Sequence, residues 1–195
     1  MKRLFDLLFS LIILMFFFPL GIFIAFLIVV ESRGGLFYRQ ERIGKGRVPF
    51  KVFKFRTMRK DADKLGKLTV GMRDPRITTT GYYLRKFKLD EFPQFINVLI
   101  GEMSIIGPRP EVKEFVDLYN EEQLNVLSVK PGITDYASLE YFHENELLGK
   151  SNEPNKTYIE EVMPAKLALN QKYIQNPTLL EDLKIMWLTF LKIIK

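Results

Sequence analysis

The hydrophobic pattern divides the chain sharply. From Leu7 to Val30 no residue is charged. As a straight helix these positions span roughly 36 Å, enough for a bilayer. A cleaved signal peptide has a shorter apolar region ending in small residues, whereas this run ends in Val29-Val30-Glu31-Ser32-Arg33, so the segment is expected to be retained. Pro19 and Gly21 lie at its centre, and proline removes one helical hydrogen bond and crowds the preceding turn. Both flanks are basic: Lys2 and Arg3 before, and Arg33, Arg39, Arg42, Lys45 and Arg47 after. Because basic flanks stay cytoplasmic, both ends ask for the same side. A helix that enters, breaks near Phe18-Pro19 and returns satisfies both flanks; an ordinary kinked spanning helix is the alternative, and these residues leave both open. Asp6, costly in lipid, is expected to face protein or headgroups.

Beyond residue 32 the pattern turns mixed. Leu36–Phe55 reads as two short strands around Gly44-Lys45-Gly46, with Phe50, Val52 and Phe53 interleaved with lysines. Lys60–Lys67 reads as a polar helix and loop, and Asp74-Pro75 as a turn. Apolar residues at 92, 95, 96 and 99 have helical spacing, with Pro93 in the first turn and Asp90 as N-cap. Gly101–Pro110 reads as a rigid loop holding Arg109 between Pro108 and Pro110. Helices are expected over 111–127, 158–174 and 179–194. The last is amphipathic and suits either a core or a membrane interface through Trp187.

Composition and charge narrow the chemistry. The 195 residues suffice for one domain plus an appendage, and 47% hydrophobic content argues against disorder. A net charge of +6 suits nucleic acid, an anionic membrane or phosphorylated substrates. There is no cysteine and one histidine, His143, which excludes thiolate and histidine-cluster metal sites. Any metal is therefore a hard cation held by carboxylates and phosphates. His143 reads as a surface polar residue. Asp61-Ala62-Asp63 resembles an acidic metal motif, but between Lys60 and Lys64 it reads as a solvated helix face. Four adjacent acidic pairs occur, and only Asp90-Glu91 lies between a basic aromatic segment, 82–88, and a Gly-Pro-Arg-Pro loop. Carboxylates among arginines suggest a charged ligand, with a structural ion-pair network as the alternative. No P-loop or dinucleotide fingerprint is present, and the basic segment carries no nucleic-acid-binding motif.

Together these residues resemble the bacterial sugar transferases of the small monotopic phosphoglycosyl transferase type. The resemblance is carried by Lys2-Arg3-Leu4-Phe5-Asp6, the Pro19-bearing segment, Gln40–Gly44, Phe53–Met58, Asp74–Thr78, Arg85, Leu89–Leu99, Gly101–Ser104, Ile106–Pro110 and Lys130–Thr134. It implies an α+β fold, mainly helical around a small β-hairpin. It also implies a re-entrant helix-break-helix over 1–32, a cytoplasmic catalytic domain over 33–195, and amphipathic interfacial helices at the cytoplasmic face of the bacterial inner membrane. The implied reaction moves a sugar 1-phosphate from a UDP-sugar to polyprenyl (undecaprenyl) phosphate, releases UMP and initiates glycoconjugate assembly. Asp90 is the implied nucleophile, forming an aspartyl-phosphosugar intermediate. Glu91 binds Mg²⁺, with Asp90, or positions the acceptor phosphate. Lys54, Arg85 and Arg109 hold phosphate oxygens, with Gln94, Pro108 and Pro110 in support. The implied partners are the UDP-sugar, polyprenyl phosphate and membrane lipid, without nucleic acid; a homodimer is compatible with them. The chain departs from relatives at Asp135–Glu140, after Pro131-Gly132-Ile133-Thr134, where others carry Gly-Leu-Ala-Gln. A catalytically silent scaffold binding anionic lipid is the competing reading.

Overall fold

A computed structural model describes residues 2–32, 34–60, 62 and 74–194. Asp61, Asp63 and most of the polar stretch beyond Lys60 lie outside the described residues.

The apolar segment forms one helix, α1 (Lys2–Glu31), with Pro19 inside it. The expected break is not seen as two separate helices. Proline withholds only the bond to the Met15 carbonyl, and the leucines, isoleucines and phenylalanines on either side sustain the helix. It is long and apolar enough to cross a membrane. Its buried residues are Asp6, Ser10, Ile24 and Ile28. Asp6 and Ile24 are about five turns apart at 3.6 residues per turn, so the four form one stripe. That stripe lies on the body while the opposite face is bare, with Phe16 78% and Met15 69% exposed.

Both ends of α1 are fastened to the same body. At the N-terminus, Lys2 contacts Asp182 at 2.5 Å, and Arg3 donates to the Val98 and Leu99 carbonyls at 2.6 and 3.0 Å. Asp6 accepts bonds from the Ser104 hydroxyl at 2.9 Å and the Ile105 N–H at 3.2 Å, which places its charge against protein as expected. At the C-terminus, the Glu31 carboxylate accepts the Thr79 and Thr80 N–H groups at 2.5 and 2.7 Å. These belong to the first turn of α2 (Thr79–Lys86), whose unpaired amides favour an anion.

Strands β1 (Phe37–Ile43) and β2 (Pro49–Phe55) make the expected antiparallel hairpin, with Gln40 opposite Val52. Along β2, Phe50 and Val52 point inward. The two-residue period puts Lys54 on that same inner face. A turn over Leu89–Glu91 leads into α3 (Gln94–Ile100). Asn97 of α3 is fully buried. Its side-chain oxygen accepts the Phe53 N–H at 2.9 Å, and its nitrogen donates to the Lys51 carbonyl at 2.9 Å and to Glu102 at 2.7 Å. One asparagine thus locks α3 to β2.

Strands β3 (Ser104–Ile106) and β4 (Gly132–Thr134) pair in parallel. Their backbones approach so closely that a Cβ at Gly132 would collide with the Gly107 backbone, and only glycine permits this. The helix expected over 111–127 is instead α4 (Lys113–Val116) followed by a 3-10 stretch, Gln123–Ser128. Asn120 and Gln123 exchange side-chain-to-backbone bonds at 2.9 and 2.8 Å. This local alternative to helical pairing interrupts the apolar periodicity.

Helices α5 (Tyr136–Glu140) and α6 (Glu144–Gly149) follow. Then α7 (Pro154–Thr157) continues through a π turn, Tyr158–Val162, into α8 (Met163–Gln175). The final helix, α9 (Leu179–Ile194), has the expected bounds. It turns Asp182 and Ile185 inward and leaves Leu180 80% and Trp187 60% exposed, so one face packs on the core, as the core-packing reading expected. The architecture is mainly helical around small sheets. Its central core is built from Phe50, Val52, Val98, Met103, Ile105, Ile106, Tyr173 and Ile185.

Candidate active site

The hairpin, the turn before α3 and the loop after β3 converge on one open cleft of about 1570 Å³. Lys54, Arg85, Asp90, Glu91 and Arg109 all line it. Five residues spread over 56 positions of sequence are thereby gathered into one wall.

Asp90 is not the N-cap of α3. The helix begins later, at Gln94 with Pro93 as its N-cap, and the Phe92 N–H that an Asp90 cap could use donates to the Leu89 carbonyl at 3.2 Å. Instead Asp90 sits in the 89–91 turn, 8% exposed. Among the described residues none donates a hydrogen bond to its carboxylate. Burial and neighbouring Glu91 push its pKa up, against the pull of Lys54, Arg85 and Lys88.

Glu91 has the opposite environment. Burial would raise its pKa, but Arg109 and Lys54 override burial and hold the carboxyl well below the usual range. Lys54 donates to it at 2.9 Å. Arg109 grips it through both terminal nitrogens, one at 3.0 Å, a two-pronged geometry that orients both groups. Two adjacent carboxylates are thus differentiated: Glu91 is clamped and ionised, and Asp90 is unclamped and faces the cleft.

Arg109 is held from behind as well. The Pro108 carbonyl accepts the Gly132 N–H at 3.0 Å, and the Pro110 carbonyl accepts from Arg42 at 3.2 Å. The Arg109 N–H donates to Asp135 at 3.0 Å. Asp135 is fully buried and also caps α5 through the Ser138 N–H at 2.5 Å. Arg85 donates to the Thr57 hydroxyl at 2.8 Å. Gln94 is buried, does not line the cleft, and its amide nitrogen has no partner among the described residues. His143 lies at the cleft wall, exposed, 3.5 Å from Glu146, in keeping with a solvated role.

Sequence reasoning assigned no role to Thr57 or Lys88, and took Asp135 only as the start of the segment, Asp135–Glu140, that departs from relatives and would border the sugar. The signal for Asp135 was its place directly after β4, the strand that brackets the arginine loop. A further network, Arg42–Glu111–Tyr158, also lines the cleft: Arg42 contacts Glu111 at 2.7 Å, and the Tyr158 hydroxyl donates to the same carboxylate.

Four cations, Lys54, Arg85, Lys88 and Arg109, thus surround two carboxylates in a cleft with apolar walls. Such a site favours a polyanion such as a diphosphate. A family model of bacterial sugar transferases matches residues 1–195. The chain belongs to the bacterial sugar transferase family. The sequence reading of an enzyme, a phosphoglycosyl transferase, stands with it.

Among similar sugar transferases, a Bacillus subtilis protein named putative undecaprenyl-phosphate N-acetylgalactosaminyl 1-phosphate transferase is 44% identical over 62% of this chain and 68% of its own length. A UDP-N-acetylgalactosamine-undecaprenyl-phosphate N-acetylgalactosaminephosphotransferase of Aeromonas hydrophila is 40% identical over 71% of this chain and 33% of its own. The Escherichia coli UDP-glucose:undecaprenyl-phosphate glucose-1-phosphate transferase is 34% identical over 98% of this chain and 40% of its own length. The chain thus spans well under half of the last two.

The donor chemistry suits Mg²⁺. The ion takes hard oxygen ligands, commonly one or two carboxylates completed by substrate phosphates and water. Among the described residues no group of three acidic or histidine side chains gathers. Asp90 offers an open carboxylate, whereas the oxygens of Glu91 already accept from Lys54 and Arg109.

Proposed function

We propose that this protein transfers a sugar 1-phosphate from a UDP-sugar to polyprenyl phosphate, such as undecaprenyl phosphate, and so begins polysaccharide or glycoconjugate assembly. The observation that carries the proposal is the contrast within the dyad: a clamped Glu91 beside an Asp90 that has no hydrogen-bond donor among the described residues. A carboxylate oxygen of Asp90 attacks the sugar-bearing phosphorus. The bond from that phosphorus to the bridging oxygen breaks, and UMP leaves with the electron pair. An acyl phosphate now joins Asp90 to the sugar phosphate. An oxygen of the lipid phosphate then attacks the same phosphorus, the Asp90 carboxylate departs, and the product is a lipid diphosphosugar. Neither step is steeply uphill, because one reactive phosphate linkage replaces another. Lys54, Arg85 and Arg109 hold the phosphate oxygens, with arginine forks matched to that geometry. Glu91 fixes Lys54 and Arg109 in position. Mg²⁺ would be held by Asp90, with Glu91 as the neighbouring carboxylate, and would supply neutralisation of the diphosphate charge.

The same reading makes α1 a re-entrant membrane element rather than a spanning one, with 33–195 as the catalytic domain on the cytoplasmic face of the inner membrane. Its support is that Lys2, Arg3 and Asp6 at one end and Glu31 at the other grip a single body. The exposed apolar face of α1 and the outer face of α9 would lie in lipid and at its interface.

The test is UMP release from a panel of UDP-sugars with undecaprenyl phosphate and Mg²⁺, on the full chain in lipid nanodiscs. Release with at least one sugar, abolished by Asp90→Asn, is expected. Absence of release with every sugar from folded protein would favour the silent scaffold.

A further inference from the structure

Lys88 joins α2 to the turn that bears the dyad. Its backbone is left-handed, with φ 55° and ψ 19°. Among the described residues only Arg47 shares a positive φ outside glycine. Arg47 lies in the β1–β2 turn, where such backbone is ordinary. Lys88 follows Phe87, the C-cap of α2, where a left-handed residue commonly ends a helix and is usually glycine or asparagine. Lysine adopts this conformation with strain that glycine avoids. Here the bend places the Lys88, Asp90 and Glu91 side chains along one cleft wall.

The charge of Lys88 is uncommitted. Lys54 and Arg109 both contact Glu91, and Arg85 donates to Thr57. Among the described residues the Lys88 ammonium makes no ion pair and no side-chain hydrogen bond. Its contact is with the face of Phe142, 4.9 Å from the ring centroid. Phe142 follows α5 and lines the same cleft. An aromatic face holds an ammonium in place and leaves its charge uncancelled. The result is a positioned, unneutralised cation beside the nucleophile, with its donors available to a third party.

We infer that Lys88 is a further substrate-contacting residue that binds phosphate oxygens at the Asp90 centre, and that Phe142 is its positioning residue. This deepens the proposed function and rests on it. The phosphate has two sources, the nucleotide diphosphate and the lipid phosphate, and separate binding measurements tell them apart.

The informative variants are Lys88→Gly, which removes the charge while suiting the backbone, and Lys88→Arg, which keeps it. Binding of UDP with Mg²⁺, and separately of undecaprenyl phosphate in nanodiscs, is titrated on each folded variant. Loss of a charge-assisted phosphate contact predicts an affinity drop of about tenfold or more for at least one ligand in Lys88→Gly. Melting should be unchanged or raised, and Lys88→Arg should regain most of the affinity. Loss for UDP alone assigns the donor diphosphate, and loss for the lipid alone assigns the acceptor. Phe142→Leu should weaken the same ligand by a smaller factor. Wild-type affinity for both ligands in Lys88→Gly would overturn the inference, as would equal losses in the Gly and Arg variants. Because binding is read without turnover, a wild-type protein that releases no UMP would count against the proposed function, while the titration by itself decides whether Lys88 binds phosphate.

Discussion

Replacing Glu91 by glutamine keeps the shape and removes the charge on which the site's cations converge. The carboxylate contacts Lys54 at 2.9 Å and both terminal nitrogens of Arg109. An amide keeps one acceptor and turns an –NH₂ toward a guanidinium, so at least one bond becomes a donor–donor clash. Side-chain exposure is 13% for Glu91, 19% for Lys54 and 32% for Arg109. Breaking a fully buried pair costs about 3–5 kcal/mol, and an exposed pair contributes about 0–1. This triad lies between those limits, so about 2 kcal/mol is expected, with the Arg109 part discounted because water reaches it. For a chain of this length that is a fall of about 4–8 °C in Tm. Turnover should fall further, by about 10²–10³, since misplaced cations no longer meet the developing phosphoryl charge. The assay pairs thermal unfolding in nanodiscs with UMP release. Adding Lys54→Met to Glu91→Gln should restore part of the lost stability, because it removes the more buried orphaned cation. A Glu91→Gln protein with wild-type melting and turnover would refute the clamp.

Other perturbations probe the parts that hold the clamp. Asp135→Ala removes the acceptor of the Arg109 N–H and the cap of α5, so a loss of about 2 kcal/mol is expected by chemical denaturation, and wild-type stability would show that the loop needs no such anchor. Cysteines at Lys2 and Gly35 should both resist an impermeant thiol reagent in intact cells and react after permeabilisation; labelling from opposite sides would contradict the re-entrant α1. Burial would raise the Glu111 pKa, but Arg42, Lys166, the Tyr158 hydroxyl and the Val112 N–H lower it overall. A depressed folded pKa gives stability that is present above the unfolded value and lost as pH falls through the folded one. The Tm advantage of wild type over Glu111→Gln should therefore shrink between about pH 7 and pH 3.5, and a gap that widens on acidification would oppose this sign.

Much of the fold was legible because periodicity reports burial directly. The α9 bounds, the β1–β2 hairpin and the extent of α1 follow from runs in which every turn agrees with its neighbours. The misses are places where one side chain outweighs the pattern. Pro93 denies an Asp90 cap one of its two possible amide donors while the 89–91 turn takes the other, the Phe92 N–H, and the Asn120–Gln123 exchange diverts a helix that Val112, Phe115 and Val116 otherwise support. The continuity of α1 through Pro19 reflects the strength of its apolar flanks. In the site, Asp90, Glu91 and Arg109 were legible from their setting and from the family resemblance. Their division of labour was not, because it depends on Lys54 arriving from the inner face of β2, 37 residues before Glu91 in the chain. Lys88 is legible only through the aromatic ring it touches, whereas Asp135 was signalled by its place after β4 but its bond to the Arg109 amide was not.

The central claim is that Asp90 carries the phosphosugar. Intact-mass spectrometry of the full chain, mixed with its UDP-sugar and Mg²⁺ but no lipid acceptor, tests it most directly. The account predicts an added mass of one sugar phosphate, mapping to the peptide that contains Asp90, released by hydroxylamine and discharged by undecaprenyl phosphate. An enzyme that turns over with acceptor yet never acquires this mass, or acquires it unchanged in Asp90→Asn, would contradict it.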